Sequence, residues 1–372
     1  MRLDWKAGLG ILISAFLLWW VFRGEDLGAI WVEVQGANWG ILLAAVAVAT
    51  AGFMIRAMRW GILLRPLHAH VPLRSRFAAT CIGFSTNNLL PARLGEFARA
   101  YAMSRMAPIP ASGVFGSLVV ERFLDGVAIL GLLVVAVLWP TFPSDATVAG
   151  QPIALAMRGV VLLLAGLLAV LVALVLFPEP VIRVVDRIAR ALLPDSVARL
   201  LVDTLRAFLD GLTVLQDPRL LIPALAWSFG FWAWHSISFW LGFRAFGIEL
   251  DYAAALFVNA VIAVGVAVPS APGFIGTFHA AAKIGLTEVY GVAEGPTLAF
   301  AFGYHLGGFI PVTLIGLYYA WRLGLSLGEV GKSEGQIADE MEAEHGGGTA
   351  KEAGPDGGGV SESPPAPPPI GG

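Results

Sequence analysis

Charge is what this sequence has least of: 14% of its 372 residues are Asp, Glu, Lys or Arg, against 57% hydrophobic residues. Soluble domains run near a quarter charged. A chain this apolar cannot cover itself with polar surface, so its solvent is lipid. Cysteine is nearly missing as well. The single Cys81 excludes an intrachain disulfide and a cysteine-based metal cluster, and in its apolar surroundings it reads as a small packing residue. The net charge of −3 supplies no basic surface and excludes nucleic acid as a partner. No H-E-x-x-H, spaced cysteine pair, Ser/His/Asp order or P-loop occurs. Metal-dependent hydrolysis, triad chemistry and nucleotide hydrolysis therefore have no recognisable motif, and neither a cofactor nor a metal is expected.

What is there in quantity is apolar run. About 20 apolar residues cross the roughly 30 Å of hydrocarbon in a bilayer, and six segments qualify, near 6–23, 38–58, 113–139, 153–177, 220–246 and 297–321. The first ends in Trp19 and Trp20 with no A-x-A-like site after it, so it reads as a retained span and not a signal peptide. Two more segments, near 77–105 and 253–287, are apolar but broken, one by Asn87, Asn88, Pro91, Arg93, Gly95 and Glu96, the other by Pro269, Pro272, Gly273 and Gly276. Backbone that leaves the helix at membrane depth survives only inside protein or beside a water-filled cavity. Both segments therefore read as re-entrant hairpins or broken helices. The predicted fold class is all-α: a polytopic membrane helix bundle of about six full spans plus two such segments.

Charge around the spans predicts orientation. The stretch 24–37 holds Glu25, Asp26 and Glu33 without lysine or arginine, whereas 56–76 holds Arg56, Arg59, Arg65, Arg74 and Arg76 and 178–219 holds six more arginines. The positive-inside rule places both termini in the cytoplasm of an integral inner (plasma) membrane protein. The first broken segment then enters from the cytoplasm, and the second, between Glu249/Asp251 and Glu288/Glu294, from outside. That is the layout of an inverted repeat, 38–139 against 220–321. Pro91-x3-Gly95-x-Phe97-x2-Ala100 recurs in spacing as Pro272-x3-Gly276-x-Phe278-x2-Ala281. Paired interruptions at corresponding positions of two halves point to a transporter binding site. The segment 179–216 is too polar to span; it reads as a surface helix, with its arginines toward lipid phosphates or packed on the bundle. Residues 1–326 form the membrane domain, and 327–372, without apolar periodicity, form a disordered cytoplasmic tail.

Three groups of residues carry chemistry. Glu121, Arg122 and Asp125 fall within one turn of the third span, and a rise of about 1.5 Å per residue puts Asp125 roughly 16 Å deep. Ionisable residues there must face the bundle interior and meet partners or substrate. A purely structural ion network is the competing reading. Arg93, Glu96 and Arg99 follow Asn88 and Pro91; if helix begins near Ala92 they form one stripe, and the free N–H groups of the helix start suit an anion. Arginines snorkelling to headgroups are the alternative. Pro272, Gly273 and Gly276 restart a helix that carries His279 and Lys283 four residues apart. A structural, hydrogen-bonded histidine is the alternative to a titrating one. His235 and His305 lie within spans, among tryptophans that read as packing and interface anchors.

These residues resemble a known family. Arg56-x2-Arg59-Trp60, Asn88-Leu-Leu-Pro91-Ala-Arg93-Leu-Gly95-Glu96-x2-Arg99, Glu121-Arg122-x2-Asp125 and Pro269-x2-Pro272-Gly273-x2-Gly276 are similar to motifs of the lysylphosphatidylglycerol synthase transmembrane-region, or flippase-like domain, proteins. The likeness covers about residues 1–325. It implies an integral inner-membrane protein that moves lipids between leaflets. It does not imply synthase activity, because the soluble domain that makes the aminoacyl lipid in the full synthases has no counterpart in the tail. Where the family's second motif often continues to a glutamate, this chain has His279. The expected partner is a membrane phospholipid, anionic or aminoacylated, with homo-oligomerisation or a membrane partner left open. The substrate-binding residues expected are Asn88, Arg93, Glu96, Arg99, Glu121, Arg122, Asp125, Pro272, Gly273, Gly276 and His279. A membrane-embedded transferase acting on lipid-linked substrates and a membrane scaffold are the alternatives. Clustered carboxylates would serve the former as general base.

Overall fold

A computed structural model describes residues 5–90, 93–148, 150–153, 177–192, 217–268 and 270–325, with isolated positions between 155 and 202. The described residues form eleven α-helices and one two-stranded ribbon, Thr147–Val148 with Gln151–Pro152. The helices are α1 Trp5–Phe22, α2 Leu27–Gly36, α3 Trp39–Leu63, α4 Leu73–Leu89, α5 Gly95–Met106, α6 Ala111–Val137, α7 Pro178–Leu192, α8 Pro218–Ala245, α9 Tyr252–Gly265, α10 Thr277–Lys283 and α11 Glu294–Arg322. A single 3₁₀ turn, Pro272–Phe274, precedes α10, and a π-helical turn, Ile284–Val289, follows it. Short polar residues start several helices. Asp26 accepts from Gly28 N, Asn38 from Ile41 N, Asp217 from Arg219 N and Asp251 from Ala254 N, each meeting a donor the helix itself leaves open.

Three helices, α3, α8 and α11, are long and apolar enough to cross a membrane. Helix α6 is as long, but Glu121, Arg122 and Asp125 interrupt its apolar run. Ile11–Phe22 of α1 and α9 are shorter apolar helices. The span expected at 153–177 lies mostly outside the described residues, as do Pro91, Pro269, most of 193–216 and everything from 326 onward.

The second half of the chain repeats the order of the first. The shift that carries Pro91 to Pro272, 181 positions, also carries Trp39–Leu63 almost onto Pro218–Ala245 and Ala111–Val137 almost onto Glu294–Arg322. Neighbours correspond too. Helices α3 and α8 pack on each other, α4 on α11 as α9 on α6, and α5 on α6 as α10 on α11. The same shift joins the two non-glycine residues with left-handed backbone among those described, Arg93 (φ 56°) and Phe274 (φ 59°). A side chain rarely tolerates that region, so one turn geometry occurs at equivalent places in both halves.

Each half contains a hairpin, α4–α5 and α9–α10. In the first, Gly83 and Gly95 lie backbone to backbone, and a Cβ on either would collide with the other's carbonyl oxygen. Asn87 Oδ1 accepts from Gly95 N at 2.7 Å. Helix α5 begins at Gly95 and not near Ala92, because the left-handed backbone of Arg93 (φ 56°) breaks helical geometry before it, and a side chain already holds its first N–H. Asn87→Ala is expected to cost about 1–2 kcal/mol through that unpaired group, read as a lower melting temperature in detergent. The hairpin tips meet: Gly273 packs against Phe309 and the Asn88 carbonyl, and the Arg93 guanidinium lies 5.4 Å from the Phe274 ring centre. Helix α1 crosses the second tip, where Ser14 Oγ accepts from Ala271 N at 2.7 Å.

Helix α7 buries Ile182 and Ala189 and exposes Arg183 and Arg187, as expected of a surface helix. Exposed arginines stand at 65, 74, 105, 183, 187, 219 and 322, and also at 23 and 244, near the exposed carboxylates of Asp26 and Glu249.

Candidate functional site

The Glu121 and Asp125 carboxylates are buried in the middle of the helices, where four arginines converge on them. Glu121 accepts from Arg99 through both oxygens, at 2.7 and 3.0 Å, and from Arg122 at 2.6 Å. Arg56 and Arg59 reach it at 3.5 and 3.3 Å. Asp125 accepts from Arg59 at 2.5 Å, Arg56 at 3.1 Å and Trp232 Nε1 at 3.0 Å. Arg122 stands 3.5 Å away.

The helices explain the convergence. Residues four apart share a face, which aims Glu121 and Asp125 of α6 at one point. Arg56 and Arg59, three apart on α3, approach from one side and Arg99 of α5 from another. By sequence, Arg56 and Arg59 count among the cations of a stretch from 56 to 76. Helix α3 instead runs on to Leu63 and buries both, at 5% and 0% exposure. Aromatic rings line the cations. Arg56 lies 4.0 Å from the Phe231 ring centre and Arg99 3.9 Å from that of Trp60, contacts that offset part of the cost of taking a guanidinium from water.

Four guanidinium groups against two carboxylates leave a surplus of positive charge. Donors are in surplus too. Arg59 Nε and Nη2, Arg99 Nε and Arg93 Nε have no hydrogen-bond acceptor among the described residues. The cluster is dry except at one member: Arg122 keeps 40% of its side chain accessible, against at most 6% for the other five. Glu96 and Arg93, both half-buried, act electrostatically on the same region, Glu96 on Arg93 and Arg122 alike.

Trp232→Phe removes the donor to Asp125 and keeps the ring. The expected cost is about 1.5–3 kcal/mol, the worth of a hydrogen bond to a charged group, measured by unfolding in detergent.

The expected site residues thus fall into two places. Arg99, Glu121, Arg122 and Asp125 form the ion cluster, with Arg93 and Glu96 at its approach. Asn88 donates to Thr313 Oγ1 at 2.8 Å and, with Pro272 and Gly273, belongs to the contact between the tips. Gly276 faces Ser14 of α1, and its N–H lies 3.4 Å from His279 Nδ1, so that N–H already has a partner. His279 is buried, its ring 3.9 Å from Phe302 and 5.2 Å from His305. It does not work with Lys283, which binds Glu294 at 2.6 Å and faces Glu25 at 3.6 Å. The nearby Glu294 carboxyl holds the Glu25 carboxyl above its ordinary range. Beyond the residues expected from sequence, the cluster includes Arg56, Arg59, Trp232 and Ser228, whose Oγ accepts from Arg59 at 2.9 Å; the spacing Arg56-x2-Arg59-Trp60 is the available signal.

Comparison with known proteins bears on the whole of this unit. The family model described as the lysylphosphatidylglycerol synthase TM region matches residues 8–316. The chain belongs to that family. It is also 24% identical over 328 residues to a UPF0104 membrane protein of Methanothermobacter thermautotrophicus, covering 84% of this chain and 91% of that protein. The lysylphosphatidylglycerol synthase TM region match spans both hairpins and every member of the ion cluster, and with the apolar helices it makes this a membrane protein.

Proposed function

We propose that this chain translocates a phospholipid with an anionic headgroup between the two leaflets, holding the headgroup beside Arg122 and Arg93 while the acyl tails stay in lipid. One observation carries the reading: a buried cluster with surplus positive charge and surplus N–H donors opens at a single arginine. A buried surplus charge is costly unless an opposite charge visits it. A phosphodiester oxygen is the acceptor that arginine forks suit. Glu121 and Asp125 hold the arginines in place.

The path belongs to the same proposal. Helices α3–α6 and α8–α11 form an inverted repeat, the two hairpins are re-entrant, and the arginine-bearing ends face the cytoplasm together with both termini. The tips that meet at Arg93 and Phe274 then lie at membrane depth, between two vestibules. Supporting this are the matched left-handed turns of the two halves.

The test is leaflet exchange of fluorescent phosphatidylglycerol in vesicles containing the purified chain. Arg122→Ala is expected to slow exchange about tenfold or more, the worth of one charge-assisted hydrogen bond, while the protein stays folded because three arginines still hold the carboxylates. Equal rates for the wild type and Arg122→Ala would sink the proposal.

A further inference from the structure

Helix α7 has three faces, and only one of them meets the rest of the protein. Ile182 and Ala189, seven residues apart and so on one side of a helix with 3.6 residues per turn, are buried. Arg183, Arg187 and Arg190, at steps of four and three, share a second face and are exposed. Val184 and Ile188, four apart, share the third and are each 53% exposed. Phe177, just ahead of the helix and seven residues before Val184, continues that stripe at 58%. A surface helix that stands in water carries polar residues on every face except the one it packs. Here one of the two outer faces is aliphatic and aromatic.

Two observations say what covers it. The first is depth. Ile182 joins the apolar cluster that takes in Leu63 and Leu64 at the end of α3, Leu221 at the start of α8 and Leu323 and Leu325 at the end of α11. Those three helices are the ones long enough to cross a membrane, so α7 docks where their ends gather. Three exposed arginines exclude hydrocarbon depth, and the apolar stripe excludes open water. The layer between the two is the headgroup boundary. The second observation is charge. Asp186 accepts from Arg190 Nε at 2.7 Å. Arg183 and Arg187 have no carboxylate within ion-pair distance among the described residues, and the remaining acid of the helix, Glu179, lies in its first turn. Two unpaired guanidinium groups beside an apolar stripe match a surface that is apolar below and anionic above.

We infer that α7 is a docking surface for the membrane leaflet itself: Phe177, Val184 and Ile188 enter the boundary between headgroups and acyl chains, and Arg183 and Arg187 bind the phosphates of anionic phospholipids. Guanidinium forks suit phosphate oxygens, and a helix with one apolar and one cationic face lies in the plane of the interface. This contact is on the outside of the bundle, apart from the ion cluster, and stands whether or not the chain moves lipid. It draws anionic lipid to the protein's edge.

The test uses the full chain in nanodiscs, either of phosphatidylcholine or of phosphatidylcholine with phosphatidylglycerol. Ile188→Cys and Glu179→Cys each receive a fluorophore. Cys81 is fully buried, and the wild type serves as the labelling control. The label at 188 is expected to be quenched by a nitroxide placed high on the acyl chain. Aqueous iodide should quench it at least about threefold less than the label at 179, as an apolar face sunk into the boundary requires. Val184→Cys repeats the reading if Ile188→Cys does not fold. Amide hydrogen exchange along α7 is expected to be about tenfold slower in discs with phosphatidylglycerol, from two arginines held at an anionic surface. Arg183→Gln combined with Arg187→Gln should remove that difference and leave the label at 188 within reach of the lipid nitroxide. Equal iodide quenching at 188 and 179 would put the stripe in water, where a soluble partner would have to cover it, and would overturn the inference. Exchange unaffected by phosphatidylglycerol in the wild type would overturn it as an anionic-lipid surface. Leaflet exchange enters neither measurement, so the proposed function stands or falls separately.

Discussion

Glu121→Gln is expected to cost about 3–5 kcal/mol of stability, the loss measured when one partner of a buried ion pair is removed. Glutamine nearly preserves the shape, so packing is not what fails. Four guanidinium groups would face Asp125 alone, and Arg99, which gives Glu121 two hydrogen bonds and is 3% exposed, would have no other carboxylate in reach. The decisive comparison is Arg99→Met with Glu121→Leu. The double variant removes one cation and one anion, so the surplus stays as it was, and apolar side chains of similar length fill the space. Replacing a buried pair this way is often neutral or stabilising. The double variant should recover to within about 1–2 kcal/mol of the wild type and keep lipid exchange through Arg122. Unfolding by denaturant in micelles reads the first quantity and vesicle exchange the second. If Glu121→Gln alone is as stable as the wild type, the carboxylate does not hold the cluster.

What the sequence made legible was periodic or local. Helices α3, α8 and α11 follow from long apolar runs, and the paired interruptions from Pro91-x3-Gly95 and Pro272-x3-Gly276. The partners of the charged residues were not local. Arg122 and Asp125, three apart, look like a pair in sequence, yet they make one of the longest contacts of the cluster at 3.5 Å. Apart from Arg122 with its neighbour Glu121 at 2.6 Å, the short ones join residues 22 to 107 positions apart. Arg56 and Arg59 were mistaken for loop cations because a run of arginines after an apolar stretch looks like a cytoplasmic flank. A hydropathy count assigns every arginine to water, and the carboxylates that let these two stay in the helix lie far along the chain. Lys283 misled in the same manner: four residues from His279 on one helix, it turns instead to Glu294 and Glu25.

The cluster and the tips form one mechanical unit through α4, which bears on the second large effect. Asn88 near the end of α4 bonds Thr313 of α11, and one residue before it Asn87 holds the start of α5, the helix that delivers Arg99. A displacement of α4 therefore reaches both the tip contact and the ion cluster.

Gly316→Ala is expected to cause that displacement. Gly316 lies where α11 crosses α4, and a Cβ there would overlap the Cys81 carbonyl oxygen and the Ser85 Cβ. Neither is the free end of a flexible side chain, so the helices must move apart. Overpacking of this kind costs about 1–3 kcal/mol or more, and lipid exchange should fall with it because Asn88, Arg93 and Arg99 lose their register. Gly308, eight residues earlier on the same helix, supplies the control, since a Cβ there meets nothing within 4 Å. Gly308→Ala should be neutral or stabilise by up to about 1 kcal/mol, the ordinary gain of alanine over glycine within a helix, and should leave exchange intact. Unfolding and exchange measured on the two variants side by side separate a general effect of adding a methyl group to α11 from a specific one at the α4 crossing. Two variants that behave alike would mean that the close approach at Gly316 does not constrain the hairpin.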